Sequence, residues 1–309
     1  MKDARNTVRR RSRNPMIPAA LLATALVLPA ACGKKTRTSD VDTGGARAEI
    51  QNAGSDTRVN LAQAWAEAYA QVDSTVGVSV AGGGSGTGIA ALINGTADIA
   101  NCSRAMKKKE LARAEAQLGS TPVQHVMGFD ALAVYVHKEN PLNEITIEQL
   151  GQIYGEDGTI TKWSELGVAS PDGNDNIIRI SRQSNSGTYV YFRETLVSKG
   201  KEFKLGSRDL HGSKDVVELV GKTPSAIGYS GMGYATDHVK MLKVSKAAGE
   251  EAFAPNMQNA VSKDYPISRP LYMYTLGDPD AHAQAYIVWC LSPAGQKIVE
   301  DNGYVPVGK

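Results

Sequence analysis

Three turns rich in glycine and hydroxyl side chains carry the residue types that grip an anion. The most specific is Arg182 followed by Ser186, Gly187 and Thr188. A run earlier in the chain, Gly82, Gly83, Gly84, Ser85, Gly86, Thr87 and Gly88, has the same character, and Gly54, Ser55, Asp56 and Thr57 form a third. In each, a strand-like segment enters the turn and a helix-like segment leaves it. Such a turn aims the unpaired N–H groups of a helix start at one point, beside hydroxyl donors, and so binds an anion without a metal. Arg182 adds a planar fork of donors on the strand feeding its turn. Together they predict a tetrahedral oxyanion held from several sides.

The elements that must position these turns alternate between strand and helix. Residues 57–72 place Leu61, Ala64, Trp65, Ala68, Tyr69 and Val72 on one helical face. Val76, Val78 and Val80 alternate as a strand before the glycine run; a short helix follows at 87–94, a buried strand at 97–101 and a charged helix at 104–118. Within the last, Lys107, Lys108 and Lys109 read as a solvated face. Residues 123–137 form a long apolar strand, broken by Asn140 and Pro141. Thr146 and Gln149 have capping-box spacing for a helix at 147–154. Strands are expected at 177–181, 226–233 and near 270–276, and helices at 187–198, 214–220, near 279–291 and after Ser292 and Pro293. This is an α/β pattern with mostly parallel sheets. With 123–137 and 226–233 as interlobe crossings, the anion turns face one another across a cleft that closes about a hinge. Lobe I is then 48–129 with 231–309, and lobe II is 130–230.

The N-terminus reads as an export signal. Residues 1–14 carry Lys2, Arg5, Arg9, Arg10, Arg11 and Arg13 against Asp3, and residues 16–31 are uncharged and mostly apolar. That stretch is short for a spanning helix, which needs roughly 20 residues. Ala30, Ala31 and Cys32 resemble a bacterial lipobox, with Pro29 where an aliphatic residue is usual; this implies cleavage before Cys32 and a lipid on its thiol. An ordinary cleaved signal or an uncut anchor is the alternative. Residues 32–47 lack apolar periodicity and read as a flexible tether. Removing 1–31 takes six of the 34 Lys and Arg and one of the 32 Asp and Glu, leaving 28 against 31, a net of −3. No basic stripe remains to suggest nucleic acid. The ligand must therefore be held by local donors and not by overall field.

Other chemistries find little support. Cys102 and Cys290 belong to no C-x-x-C pair, and the five histidines (His125, His137, His211, His238, His282) show no ligand spacing, so neither a metal nor another cofactor is expected. The two cysteines read either as a disulfide or as buried free thiols. The glycine run 82–88 superficially matches a dinucleotide fingerprint, but no ribose-binding acid follows at about 20 residues. Asp98 lies too close for that role and reads as structural. No Walker lysine is present, and no histidine neighbours Ser85 or Ser186 in sequence, which argues against an enzyme.

The motifs in order resemble the phosphate-binding receptors of bacterial phosphate ABC transporters, over about residues 48–309. The resemblance rests on Gly54 and Ser55; on Gly84, Ser85, Gly86, Thr87 and Gly88; and on Thr96 to Ala100 leading to Ser103 and Arg104. It continues with Arg182, Ser186, Gly187 and Thr188, then Ala226 to Tyr229, and Ser292 to Gln296. It implies a two-lobed type II periplasmic-binding-protein fold, each lobe a sheet flanked by helices. It also implies a monomeric extracytoplasmic receptor, lipid-anchored through Cys32, that delivers phosphate to an ABC permease. The implied ligand contacts are Ser55, Asp56, Thr57, Ser85, Ser103, Arg104, Arg182, Ser186, Gly187 and Thr188. Receptors for sulfate, molybdate or tungstate, or a phosphate sensor without transport, are the alternatives. Two departures stand out. Asp56 occupies a position where relatives commonly have Ser or Thr, and Asn101 to Arg104 lack the carboxylate that some relatives use to accept the phosphate proton. Asp56 either takes over that role or caps the following helix.

Overall fold

The computed structural model describes residues 47–308 apart from Ser120. The expected signal at 1–31, Cys32 and the tether up to residue 46 lie outside the described residues. No helix among the described residues is long and apolar enough to cross a membrane.

The chain begins with β1 (Ala48–Gly54), a single 3-10 turn, α1 (Val59–Val72), β2 (Val76–Ala81), α2 (Ser85–Ile93), β3 (Ile99–Cys102), α3 (Lys108–Leu118) and β4 (Pro122–His137). It continues through β5 (Glu144–Thr146), α4 (Ile147–Tyr154), β6 (Ile178–Arg182), α5 (Gly187–Leu196), β7 (Arg208–Leu210), α6 (Ser213–Gly221) and β8 (Ala226–Gly231). After β9 (Val239–Met241), β10 (Lys243–Ser245) and α7 (Met257–Ser262) come β11 (Ser268–Leu276), α8 (Ala281–Cys290) and α9 (Pro293–Asp301).

One curled sheet runs β2-β1-β3-β11-β4-β8-β6-β7, with β9 also on β4. The outer pairs β1–β2, β1–β3, β6–β7 and β6–β8 are parallel, as the βαβ pattern predicts. The central strands β3, β11, β4 and β8 pair antiparallel, because β4 and β11 are long strands joining the two halves of the sheet. β4 changes partner midway: Pro122 to Ala131 lie against β11, and Leu132 to Val136 against β8.

Each half has its own core. On one side of the switch Ile50, Leu61, Trp65, Tyr69, Met127, Leu271, Met273 and Tyr286 pack together, with Ile89, Leu92, Cys102 and Tyr274 in a cluster of their own. On the other side the whole run Ala131 to Val136 is buried with Tyr154, Trp163, Phe192 and Tyr229. Covering on both faces explains why this part of β4 has no polar alternation. The second core also takes in Leu242, Val244, Ala260, Tyr265 and Ile267. Segment 231–234 reaches the opposite half, where the Tyr234 hydroxyl donates to the Asp56 and Thr57 carbonyls. The chain then returns to pair β9 with β4.

Local signals act as their chemistry requires. Thr146 Oγ1 accepts from the Gln149 N–H at 2.9 Å and Gln149 Oε1 from the Thr146 N–H at 3.0 Å, the reciprocal cap of α4. Ser292 accepts from the Gly295 N–H at 3.3 Å, with Pro293 in the first helical turn of α9. On α1 Leu61, Trp65 and Tyr69 are buried, but Val72 is 59% exposed because, as the last helical residue, it projects past the core. Cys102 and Cys290 are buried free thiols.

Candidate functional site

The turns after β1, β2 and β3 share one edge of the parallel half-sheet, and the turn after β6 comes from the other half. Strand ends of this kind form the crevice where open α/β sheets bind ligands. Three direct bonds join the glycine turn to the turn after β6: the Gly86 N–H donates to the Asn185 carbonyl at 3.0 Å, and Asn185 Nδ2 donates to the Gly83 carbonyl at 2.8 Å and to Thr87 Oγ1 at 3.4 Å. Gly84 has φ +91°, which lets the backbone turn sharply into α2. The helix starts approach so closely that a Cβ on Gly187 would lie 2.3 Å from Ser85 Oγ and 2.6 Å from Ser103 Oγ. The N-termini of α2 and α5 thus point at a common region, and both bring positive dipole ends.

Two groups of hydroxyls lie between them. In the first, Ser55 Oγ donates to Ser103 Oγ at 3.0 Å, and Ser85 Oγ accepts from the Ser103 N–H at 3.1 Å. In the second, Thr57 Oγ1 and Thr188 Oγ1 share a hydrogen bond of 2.6 Å, and Ser213 Oγ donates to Thr57 Oγ1 at 3.4 Å. Ser186 Oγ caps α5 by accepting from the N–H groups of Thr188 and Tyr189, which leaves the hydroxyl proton to donate elsewhere. Ser55, Thr57, Ser85, Ser103, Ser186 and Thr188 are all buried.

Arg182 is fully buried at the end of β6. Its Nη1 donates to Ser213 Oγ at 2.8 Å, Nε and Nη2 donate to the His211 carbonyl, and Nη2 reaches Asp56 Oδ2 at 3.3 Å. Burial pulls its pKa below the ordinary arginine value and Asp56 works against that shift; a guanidinium this basic stays charged. Asp56 does not cap its own helix, whose N-cap is Ser55. Its Oδ1 instead accepts from the Gly83 N–H at 2.8 Å and lies 3.5 Å from His211 Nε2. Asp56 therefore ties the glycine turn of one half to Arg182 of the other.

A family model for the PBP superfamily domain matches residues 40–294. The phosphate-binding protein PstS of Pseudomonas aeruginosa is 35% identical over 273 residues, covering 85% of this chain and 84% of that protein. The chain belongs to the PstS family of this superfamily. Protein SphX of Synechococcus elongatus is 31% identical over 300 residues, covering 93% of this chain and 86% of its own length. Among solved structures, one from Clostridium perfringens, described as a phosphate ABC transporter substrate-binding protein with bound phosphate, superposes with a TM-score of 0.74 at 28% identity. It covers 84% of this chain and 99% of that one. An ABC-type phosphate transport receptor from Vibrio cholerae gives 0.66 at 28% identity, covering 83% and 99%. The fold is accordingly the two-lobed α/β architecture of these receptors.

Within this PstS-family chain the structure gathers nine of the ten expected contacts, Ser55, Asp56, Thr57, Ser85, Ser103, Arg182, Ser186, Gly187 and Thr188, around the facing turns. Arg104 lies beside the glycine turn, with Nη2 3.8 Å from where a Cβ on Gly86 would sit, but it is engaged elsewhere. Its guanidinium makes two bonds of 2.8 Å to the Glu110 carboxylate and one to the Ala105 carbonyl, so α3 takes its charge. Asp98 accepts from the Gln51 N–H at 2.7 Å, a structural link between β1 and the start of β3. Sequence reasoning missed Ser213, His211, Asp130 and Arg269. Arg269 Nη2 donates to Thr188 Oγ1 at 2.9 Å and to Asp130 Oδ2 at 2.8 Å. Among the described residues no group of three or more His, Cys, Asp or Glu is placed to hold a metal ion.

Proposed function

We propose that the chain binds inorganic phosphate between its lobes, outside the cytoplasmic membrane, and hands it to the permease of an ABC transporter. The observation that carries this is the meeting of two helix starts, two clusters of hydroxyls and the buried Arg182. Desolvated there, the anion exchanges its water for N–H groups, the hydroxyls of Ser55, Thr57, Ser85, Ser103, Ser186 and Thr188, and the field of Arg182. PstS relatives named for phosphate binding support the same ligand. The family is one of receptors, not enzymes. Calorimetric titration of the protein, stripped of phosphate, with phosphate, sulfate and molybdate tests the reading. Binding of phosphate in preference to the others is expected, and no heat with phosphate overturns it.

Three finer points belong to the same reading. The lobes divide within β4 near residue 130, and the core membership of Leu242 to Ile267 supports placing the return at the start of β11, beyond residue 231. Asp56 reads the ligand's proton through its place beside Arg182. Cys32 is the first mature residue and carries the lipid. Cys32→Ala should yield a soluble or signal-retaining protein in membrane fractionation; a correctly cleaved mutant with unchanged membrane partitioning rejects the anchor.

A further inference from the structure

We propose that Arg269 and Asp130 are a second charged element of the phosphate site, acting on the ligand through Thr188 and setting how strongly the site holds a dianion. The proposal deepens the phosphate-binding reading and rests on it. Arg269 and Asp130 face each other directly across β11 and β4, one residue before β4 changes partner. Their side chains are 1% and 0% exposed. Nε and Nη2 of Arg269 both donate to Asp130 Oδ2, at 3.2 and 2.8 Å, while Nη1 donates to the Ser103 carbonyl at 3.1 Å. The same guanidinium thus lies behind the turn after β3 and behind the first turn of α5.

Proton counting shows what this does to the site. Arg182 Nη1 donates to Ser213 Oγ, Ser213 to Thr57, and Thr57 shares a bond with Thr188, which accepts from Arg269 Nη2. The chain has three hydroxyl protons, and its two hydroxyl–hydroxyl links consume two of them. Its outer links are filled by arginine protons, so one proton of Thr57 or Thr188 is left to donate. Guanidinium groups at both ends polarise that donor towards whatever fills the cleft. Such a donor suits an anion with lone pairs on every side.

Asp130 tempers this arrangement. Its Oδ2 holds Arg269, but Oδ1 is buried without a hydrogen-bond partner. A buried unpaired acceptor is costly, and an amide of the same shape would hold the arginine without the charge. The carboxylate therefore sets the field: it offsets Arg269, so that tight binding also needs the specific contacts that the turns make with phosphate.

The test uses the sign of the effect, which a merely structural pair would not produce. Phosphate and sulfate are titrated calorimetrically into wild type, Arg269→Met, Arg269→Lys and Asp130→Asn, with folding checked by circular dichroism. Arg269→Met should weaken phosphate about 30-fold or more, as expected when one member of a buried charge pair is removed, and Arg269→Lys should recover part of the loss. Asp130→Asn should instead tighten phosphate and sulfate, each by about tenfold. Weakening by both Arg269→Met and Asp130→Asn, or Arg269→Met within about threefold of wild type, overturns the proposal. Should Arg269→Met not fold, the near-isosteric Asp130→Asn decides: unchanged or weaker binding overturns it. Wild type that ignores phosphate removes the parent reading instead, which keeps the two failures distinct.

Discussion

Arg182 places four of its five N–H donors on Ser213, the His211 carbonyl and Asp56, so it serves the ligand chiefly as a fixed charge at the end of a hydroxyl chain. Losing one partner of a buried charged contact costs about 2–5 kcal/mol, a ~30- to several-thousand-fold change in affinity. Arg182→Ala should weaken phosphate by that range, since it also strands Asp56; a change within about threefold would place the decisive charge elsewhere. Asp56→Asn separates the readings of Asp56, because an Asn oxygen can still accept from the Gly83 N–H but cannot take a ligand proton. A rise in the sulfate-to-phosphate affinity ratio is expected, and an unchanged ratio would leave Asp56 only a tie between turns. Arg104 is the contrasting residue. Burial opposes the Glu110 charge, but bonds from Arg104 and from the Lys107 N–H outweigh it and hold the Glu110 pKa below its ordinary value. The unfolded carboxyl binds its proton more readily, so this stabilisation is present above the ordinary glutamate pKa and is lost as pH falls through the folded one. Arg104→Gln should therefore lower melting temperature at neutral pH more than near pH 3, with phosphate affinity nearly unchanged. A large loss of affinity would put Arg104 back at the ligand.

At the scale of elements the site depends on two helix starts meeting, and Gly187 is where they touch. Gly187→Ala places a methyl against Ser85 and Ser103, at separations that real Cβ atoms do not adopt. Wild type should show a smaller radius of gyration by solution scattering with phosphate than without it. The variant should show equal profiles and a weakened titration; a variant that still compacts would mean the turns can slide apart and close differently. Much of this was legible beforehand because local rules set it. The cap of α4 by Thr146 and Gln149, the start of α9 at Ser292 and Pro293, and the hydroxyl turns all announce themselves within a few residues. Asp130 and Arg269 did not, because only the β4–β11 register brings together residues 139 apart in sequence. Ser213 and His211 were missed for a like reason: both follow the three-residue strand β7, too short to leave a periodic trace. The pairing of Arg104 with Glu110 was not legible, because Glu110 is an unremarkable charge on a surface helix until the helix start brings it within 2.8 Å. The return to the first half was expected at 226–233, where glycines suggest a crossing; the chain touches the first half there through Tyr234, but its apolar residues up to Ile267 still pack on the second core.

For the whole molecule the sheet is continuous from β2 to β7, yet the packing is divided, so a hinge is expected where β4 exchanges partners and where β11 begins. Bending there leaves both cores intact and alters mainly the contacts between the facing turns. The bonds from Gly86 to Asn185 and from Asn185 to Gly83 join those turns through protein groups alone. They have a kinetic consequence. A ligand held by the turns cannot leave until these bonds of Asn185 part, yet it can arrive while they are apart. They therefore act on the residence time of phosphate more than on its capture rate, and differences of this kind usually appear in dissociation. Asn185→Ala removes the side-chain bonds to Gly83 and Thr87 but leaves the carbonyl that Gly86 uses. In stopped-flow measurements it should speed phosphate release several-fold while association stays within about twofold; slower association with unchanged release would be the contrary result. A docked permease then meets a receptor whose latch is separate from its ligand shell, and prising Asn185 from both Gly83 and Gly86 starts unloading without touching a hydroxyl that holds the anion.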